Sequence, residues 1–223
     1  MRKDQTQHGS PVRFASRGLL APHRHQAAYL ALVLRGGYEE QSADGRYMIE
    51  AGDIVVHPAF HRHANRFSRS GADVVDYRVE IDRFAAYGVV RAGDPSAILE
   101  ALREGSLSLN DVPQAPQEEP EPWLADLAAR LVGDAPANIA ILASRHRVSR
   151  EHATREFKQW FGIAPGAYRR EHRLQRAISK LREGQAPATV AYDEGFADQP
   201  HLSRALKRSL GVTAGSLRPS QPD

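Results

Sequence analysis

One pattern occurs twice in the C-terminal half of this 223-residue chain, and the duplication restricts the fold more than any other feature. The first copy, residues 139–162, reads IAILASRHRVSREHATREFKQWFG; the second, residues 190–211, reads VAYDEGFADQPHLSRALKRSLG. Each has a short segment containing a small residue (Ala143, Ala191), then a turn, a polar cap (Ser149, Asp198), and a second segment closed by glycine (Gly162, Gly211). A capping oxygen accepts a hydrogen bond from an orphan backbone N–H and so starts a helix. In the second segment of the first copy, Ala153, Phe157 and either Trp160 or Phe161 recur three or four apart. In the other copy Leu202, Leu206 and Leu210 recur at four. Both rows are the apolar stripe of an amphipathic helix, and each copy predicts a helix-turn-helix unit.

The faces left outward are polar and mostly basic. In the first they are Arg150, Glu151, Thr154, Arg155 and Lys158; in the second, Gln199, His201, Ser203, Arg204, Lys207 and Arg208. Arginine pairs bidentately with guanine O6 and N7, Gln with adenine, and Thr with a thymine methyl. Arg155 and Arg204 are therefore candidate guanine readers, Gln199 an adenine reader and Thr154 a contact to a thymine methyl or a polar base edge. Arg150, Lys158, Lys207 and Arg208 are candidate phosphate anchors. Pro200 is acceptable in the first helical turn, where a missing N–H is harmless. Residues 165–181 predict a long helix joining the two units, with Tyr168, Leu174, Ile178 and Leu181 inward and Arg169, Arg170, Arg173 and Arg176 largely outward. Two such units in one polypeptide can insert two recognition helices into one face of a DNA duplex. A lone arginine on an amphipathic helix is usually just solvated, but two capped copies in order argue against a plain bundle.

On these residues the chain resembles the AraC/XylS-type transcriptional regulators. EGFADQPHLSRALKRSLGVT follows the signature of that family closely, and RVSREHATREFKQWFGIAPGAYRREHRLQRA matches it as well; the likeness spans about residues 135–218. It implies a monomeric DNA-binding domain whose two recognition helices occupy successive major-groove segments. The chain departs from the pattern at Pro200, where a small polar residue is usual, at Leu202 and Leu206, which replace aromatics, and at Ala214, which replaces a proline. Leucine keeps the burial; Pro200 offers no side-chain hydrogen bond to a base.

Charge is divided along the chain. Residues 1–122 hold 14 Lys and Arg against 17 Asp and Glu, whereas residues 123–223 hold 16 against 10. The basic half is the half with the paired helices, the electrostatic footprint of a phosphate-binding module. Between the halves, residues 111–122 (DVPQAPQEEPEP) are rich in proline and acid and predict an extended, exposed linker. Domain limits of 1–110 and 123–223 follow. With no cysteine, disulfides, zinc thiolates, thiol nucleophiles and a cysteine that accepts an alkyl group are excluded. No apolar run approaches the ~20 residues of a bilayer span, and MRKDQTQHGS lacks the apolar core of a signal peptide. The expectation is a cytoplasmic protein with no membrane contact.

Residues 12–82 read as short strands separated by turns. YLALVL (29–34) has a strand's length and is closed by Gly36-Gly37; residues 38–40 and 46–49 flank Ala43-Asp44-Gly45, a hairpin signal; DIVVH (53–57) stops at Pro58; residues 74–81 alternate in part. Residues 94–109 predict a helix capped by Asp94, with Ile98, Leu99 and Leu102 on one face, most simply packed on the strands. The fold class expected is α+β: a small β-barrel, then an all-α domain. His23 and His25, with Gly36, Gly52, Pro58 and His63, resemble the two motifs of the cupin fold. That resemblance implies a sensor or dimerisation barrel in which His23 and His25, alternate residues of one strand, face the lumen with His63 and hold an effector or a divalent metal. Imidazole suits Zn, Cu, Fe or Ni. Tyr29 stands where metal-binding cupins carry a glutamate, and His57 and His61 either line the same pocket or lie exposed on loops.

The reading that results is a non-enzymatic, sequence-specific DNA-binding transcription regulator modulated by a small effector. Its expected partners are double-stranded DNA, the effector, RNA polymerase and a second copy of the chain. No cofactor is expected beyond a metal ion on the histidines. The alternative is a cupin metalloenzyme of dioxygenase or isomerase type carrying a DNA-binding appendage.

Overall fold

The computed structural model describes residues 10–78, 87–108, 114–115, 118–133 and 138–219. It forms two compact units: one takes the chain up to Glu121 together with Gln159–Gly162, and the other takes the rest from Pro122 onward.

The first unit holds β1 (Pro11–Phe14), β2 (Leu19–His23), β3 (Tyr29–Ser42), β4 (Gly45–Glu50), β5 (Asp53–His57), β6 (His63–Arg78), β7 (Gly88–Arg91) and α1 (Pro95–Glu104). All pairings are antiparallel, along the path β1-β6-β3-β5-β7, with β2 on β6 and β4 on β3. Among the described residues this path does not close. The expected small barrel is thus an open seven-stranded sheet.

The reason lies in the two long strands. Gly36-Gly37 does not end the 29–34 strand as expected; β3 runs on to Ser42. Its first half pairs with β5 and with the end of β6, and its second half with β4 and the beginning of β6. Register shifts fall beside Gly36, whose φ is +69°. A Cβ there would lie 2.0 Å from the Gly71 carbonyl oxygen of β6. Glycine is the residue that tolerates both that dihedral and that approach. The two long strands shift register together there, and neither terminates.

Tyr29, Ala31, Val33, Tyr38, Ile49, Val55, Phe67, Val74 and Val89 form one core. Leu30, Leu32, Ile54, Val56 and Val90 pack on Ile98, Leu99 and Leu102 of α1 as expected. The first half of β3 is therefore apolar on both faces. Asp94 caps α1, accepting from Ser96 N–H at 3.0 Å, and left-handed Gly105 ends the helix short of the predicted residue 109. Strand β6 begins well before the predicted residue 74, and residues 79–81 lie outside the described residues. The described part of the supposed linker is not fully exposed. Gln114 bridges Val90, Glu118 bridges Arg46, and Ala115 is buried in the core, because edge strands still have free ladder groups to satisfy.

The second unit is helical: α2 (Pro122–Val132), α3 (Ile139–Arg145), α4 (Arg150–Phe161), α5 (Pro165–Arg182), α6 (Pro187–Asp193), α7 (Gln199–Leu210) and α8 (Ala214–Leu217). Both expected caps form. Ser149 Oγ accepts from His152 N–H at 3.1 Å, and Asp198 Oδ1 from His201 N–H at 2.6 Å. Gly162 and Gly211 take left-handed φ of +69° and +74° at the far ends. Ala143, Ala153, Phe157, Leu181, Val190, Leu202 and Leu206 have no measurable exposure. At the open position on the first stripe, Phe161 is buried and Trp160 is not.

Candidate functional site

Helix α4 turns its apolar row inward and leaves Arg150, Glu151, Arg155 and Lys158 exposed. Thr154 is half-buried, and its hydroxyl donates to the Arg150 carbonyl at 2.8 Å. That proton is committed to the helix, so Thr154 offers chiefly its methyl group outward. The Arg155 side chain is 66% exposed and is steered by two neighbours. Its Nη2 donates to His152 Nδ1 at 2.8 Å and its Nε to Glu156 at 3.2 Å. His152 in turn stacks near Trp123 of α2, ring centroids 5.9 Å apart. The sequence reading missed this orienting histidine; its position three residues before Arg155, one helical turn away, was the available signal.

Helix α7 exposes Gln199, Arg204, Lys207 and Arg208, while His201 and Ser203 are half-buried. His201, expected among the outward readers, is partly spent on the turn: its Nδ1 accepts from Ala197 N–H at 3.2 Å and its ring meets Phe196 edge-on at 5.4 Å. Only Nε2 remains to it as a donor. The Arg204 side chain is 64% exposed, with Asp198 4.0 Å away, so its guanidinium is held loosely.

Two acidic residues fix these helices to the rest of the unit. Asp126 of α2 takes Arg130 and His146 at 2.8 Å each, tying α2 to the turn after α3. Arg130 first, then His146, holds its carboxyl below the usual range. Glu194, at the turn between α6 and α7, is 5% exposed. Arg176 reaches it at 2.8 Å and Lys180 at 2.9 Å, both from α5. Arg173 donates to the Gly195 carbonyl at 3.0 Å and lies 4.3 Å over the Phe196 ring. Arg173 and Arg176, expected largely outward, also serve as struts between α5 and the second turn; Arg176 stays exposed and Arg173 is half-buried. A carboxylate this buried needs cationic partners.

In the first unit, His23, His25 and His63 do come together. Ring centroids lie 4.3 Å (His23–His63), 5.8 Å (His25–His63) and 5.1 Å (His23–His25) apart. They do not share one strand, since β2 ends at His23 and His25 follows it. Neither His57 nor His61 is exposed on a loop; both are buried, as is His63. Glu40 completes a second group with these three. It escaped the sequence reading, although Tyr38, Glu40 and Ser42 alternate along β3 and all three are buried. Burial pushes the Glu40 carboxyl up to about 8, against the pull of Tyr87 and Asn65. Burial, and then the neighbouring histidines, hold His57 and His63 well below the ordinary imidazole value. Burial also lowers His23. Neutral imidazoles are the form that coordinates a metal.

Residues 142–220 match the family model of a helix-turn-helix domain. Proteins named as AraC-like transcription regulators are similar to this chain. One from Streptomyces antibioticus is 37% identical over 107 residues, covering 43% of this chain and 35% of that protein. One from Streptomyces lividans is 36% identical over 113 residues, covering 45% and 37%. The chain thus spans little more than a third of the length of the curated relatives it matches. Among solved structures, fatty-acid-bound ToxT of Vibrio cholerae aligns over 97% of both chains with 11% identity and a TM-score of 0.43. Among the described residues, no helix is long and apolar enough to cross a membrane.

Proposed function

We infer that this chain, whose C-terminal unit is an AraC-type helix-turn-helix domain, is a sequence-specific DNA-binding transcription regulator working in the cytoplasm without an enzymatic step. The observation that carries the reading is the pair of capped helices, α4 and α7, each with a buried apolar row and an exposed basic face. Arg155 and Arg204 read guanines, Gln199 an adenine and Thr154 a thymine methyl. Arg150, Lys158, Lys207 and Arg208 hold phosphates, and Glu151, His201 and Ser203 complete the two faces. The first unit, residues 1–110 in this reading, is the sensor. A small effector there acts on DNA binding only by favouring one conformation over another. RNA polymerase and a second copy of the chain are the protein partners.

The experiment is a titration of the full chain on DNA from its own promoter region, compared with a scrambled duplex. Arg204→Ala is expected to weaken specific binding by about 1–3 kcal/mol and to relax preference at one base position. Lys207→Ala is expected to weaken both duplexes alike, with the salt slope lowered by about one. Equal losses on both duplexes for Arg204→Ala would remove it from base reading. No preference for the promoter DNA in the unaltered chain would reject the regulator itself.

A further inference from the structure

We propose that the first unit binds one divalent first-row transition-metal ion through Glu40, His57, His61 and His63, a deeper set than the His23–His25–His63 trio. One donor atom from each of the four lies within 4.8 Å of those of the other three, and all four residues are buried. The trio meets the same distance limit, but His23 and His25 are only half-buried.

The fit rests on how each side chain is held. Asn65 Nδ2 donates to Glu40 Oε2 at 2.8 Å, and the Tyr87 hydroxyl bonds to the same carboxylate. Asp44 Oδ2 lies 2.7 Å from His61 Nε2, and His61 Nδ1 is buried and unpartnered. Tyr29 Oη lies 3.2 Å from His63 Nε2, and the His63 ring also bonds to the His61 backbone. His57 stacks on Tyr29 with ring centroids 4.4 Å apart. Its Nε2 is 3.6 Å from Glu40 Oε2, and its Nδ1 has no partner. Buried polar atoms in native proteins are nearly always satisfied, so the open ring nitrogens of His57 and His61 beside the Glu40 carboxylate need a common explanation. Bonding one atom of a ligand to an outer partner while leaving the other open is how proteins orient metal ligands. Three imidazoles and one carboxylate suit zinc, iron, nickel or copper, whereas calcium and magnesium favour all-oxygen sets.

Tyr29 fits the same picture. It stands where the cupin resemblance places a glutamate ligand, and its hydroxyl is engaged with His63. The trio therefore lacks a carboxylate, and the deeper group has one in Glu40.

The test uses the full chain, stripped with chelator and dialysed against zinc, with metal content measured by atomic emission and coordination followed by substituting cobalt and recording its visible absorption. One ion per chain is expected. Glu40→Gln and His57→Gln should each weaken zinc binding at least tenfold and alter the cobalt bands; the double variant His23→Asn/His25→Asn should retain both. Asp44→Asn, a change at a part-exposed orienting residue, should weaken binding about 10–100-fold without loss of fold. Melting of the metal-free variants separates a lost ligand from a lost fold. A chain that holds no ion overturns the proposal. So does one whose ion survives Glu40→Gln and His57→Gln but leaves with His23 and His25.

Discussion

Raising the salt from about 50 to about 200 mM is expected to lower the affinity of this chain for DNA by two to three orders of magnitude. Helices α4 and α7 expose Arg150, Arg155, Lys158, Arg204, Lys207 and Arg208. Each phosphate neutralised releases condensed counterions, and log K falls with log salt at roughly 0.9 per contact. About four to six contacts over a fourfold change in salt give that range. The measurement is a fluorescence titration at several salt concentrations on one duplex. A slope near zero would mean that these cations do not meet the backbone, and the interface assigned to α4 and α7 would fail. The prediction is stronger than any single substitution because it sums the whole basic face, including residues whose individual removal is small.

The second large effect is structural. Phe157→Ala is expected to lower the unfolding free energy of the C-terminal unit by about 3–5 kcal/mol. Phe157 has no exposed surface and meets Tyr168 of α5 edge-on, ring centroids 4.9 Å apart at 87°. Truncation removes its transfer free energy and leaves a cavity that close-packed helices fill only in part. Much of the marginal stability of a small unit would go with it, since folded domains hold only about 5–15 kcal/mol. Urea unfolding followed by helical circular dichroism reads it as a lower midpoint with an unchanged slope. A loss under about 1 kcal/mol would show that α4 is not anchored through this ring. DNA binding should fall with it, because Arg155 sits two residues away on the same helix and keeps its direction only while α4 stays docked.

The helical half was legible because its signals are local. A cap, a row of three leucines spaced by four and a closing glycine all belong to one helix and its ends, and Ser149, Asp198, Leu202, Leu206 and Leu210 behave as their spacing demands. The sheet was harder, because pairing is decided between distant residues. Gly36-Gly37 reads as a stop when only its neighbours are considered. Its role beside the Gly71 carbonyl depends on a partner more than thirty positions away. The same limit hid Glu40. A glutamate in a strand is ordinarily a solvated residue, and only its place in the Tyr38–Glu40–Ser42 alternation and its nearness to His57 set it apart. His201 shows the reverse error. Spacing puts it among the outward residues, whereas it is half-buried and its bond to the Ala197 amide is a property of the turn that helical spacing does not encode.

The cations that α5 sends to Glu194 and Gly195 bear on how the helix-turn-helix domain can be transplanted. A hybrid joined ahead of Pro122 keeps Arg173, Arg176 and Lys180 with the turn they hold. A minimal graft starting at Pro187 would keep Gln199, Arg204 and Lys207 yet leave Glu194 without Arg176 and Lys180, and its loop without Arg173. The second helix-turn-helix is therefore not a module in its own right, because α5 supplies its supports.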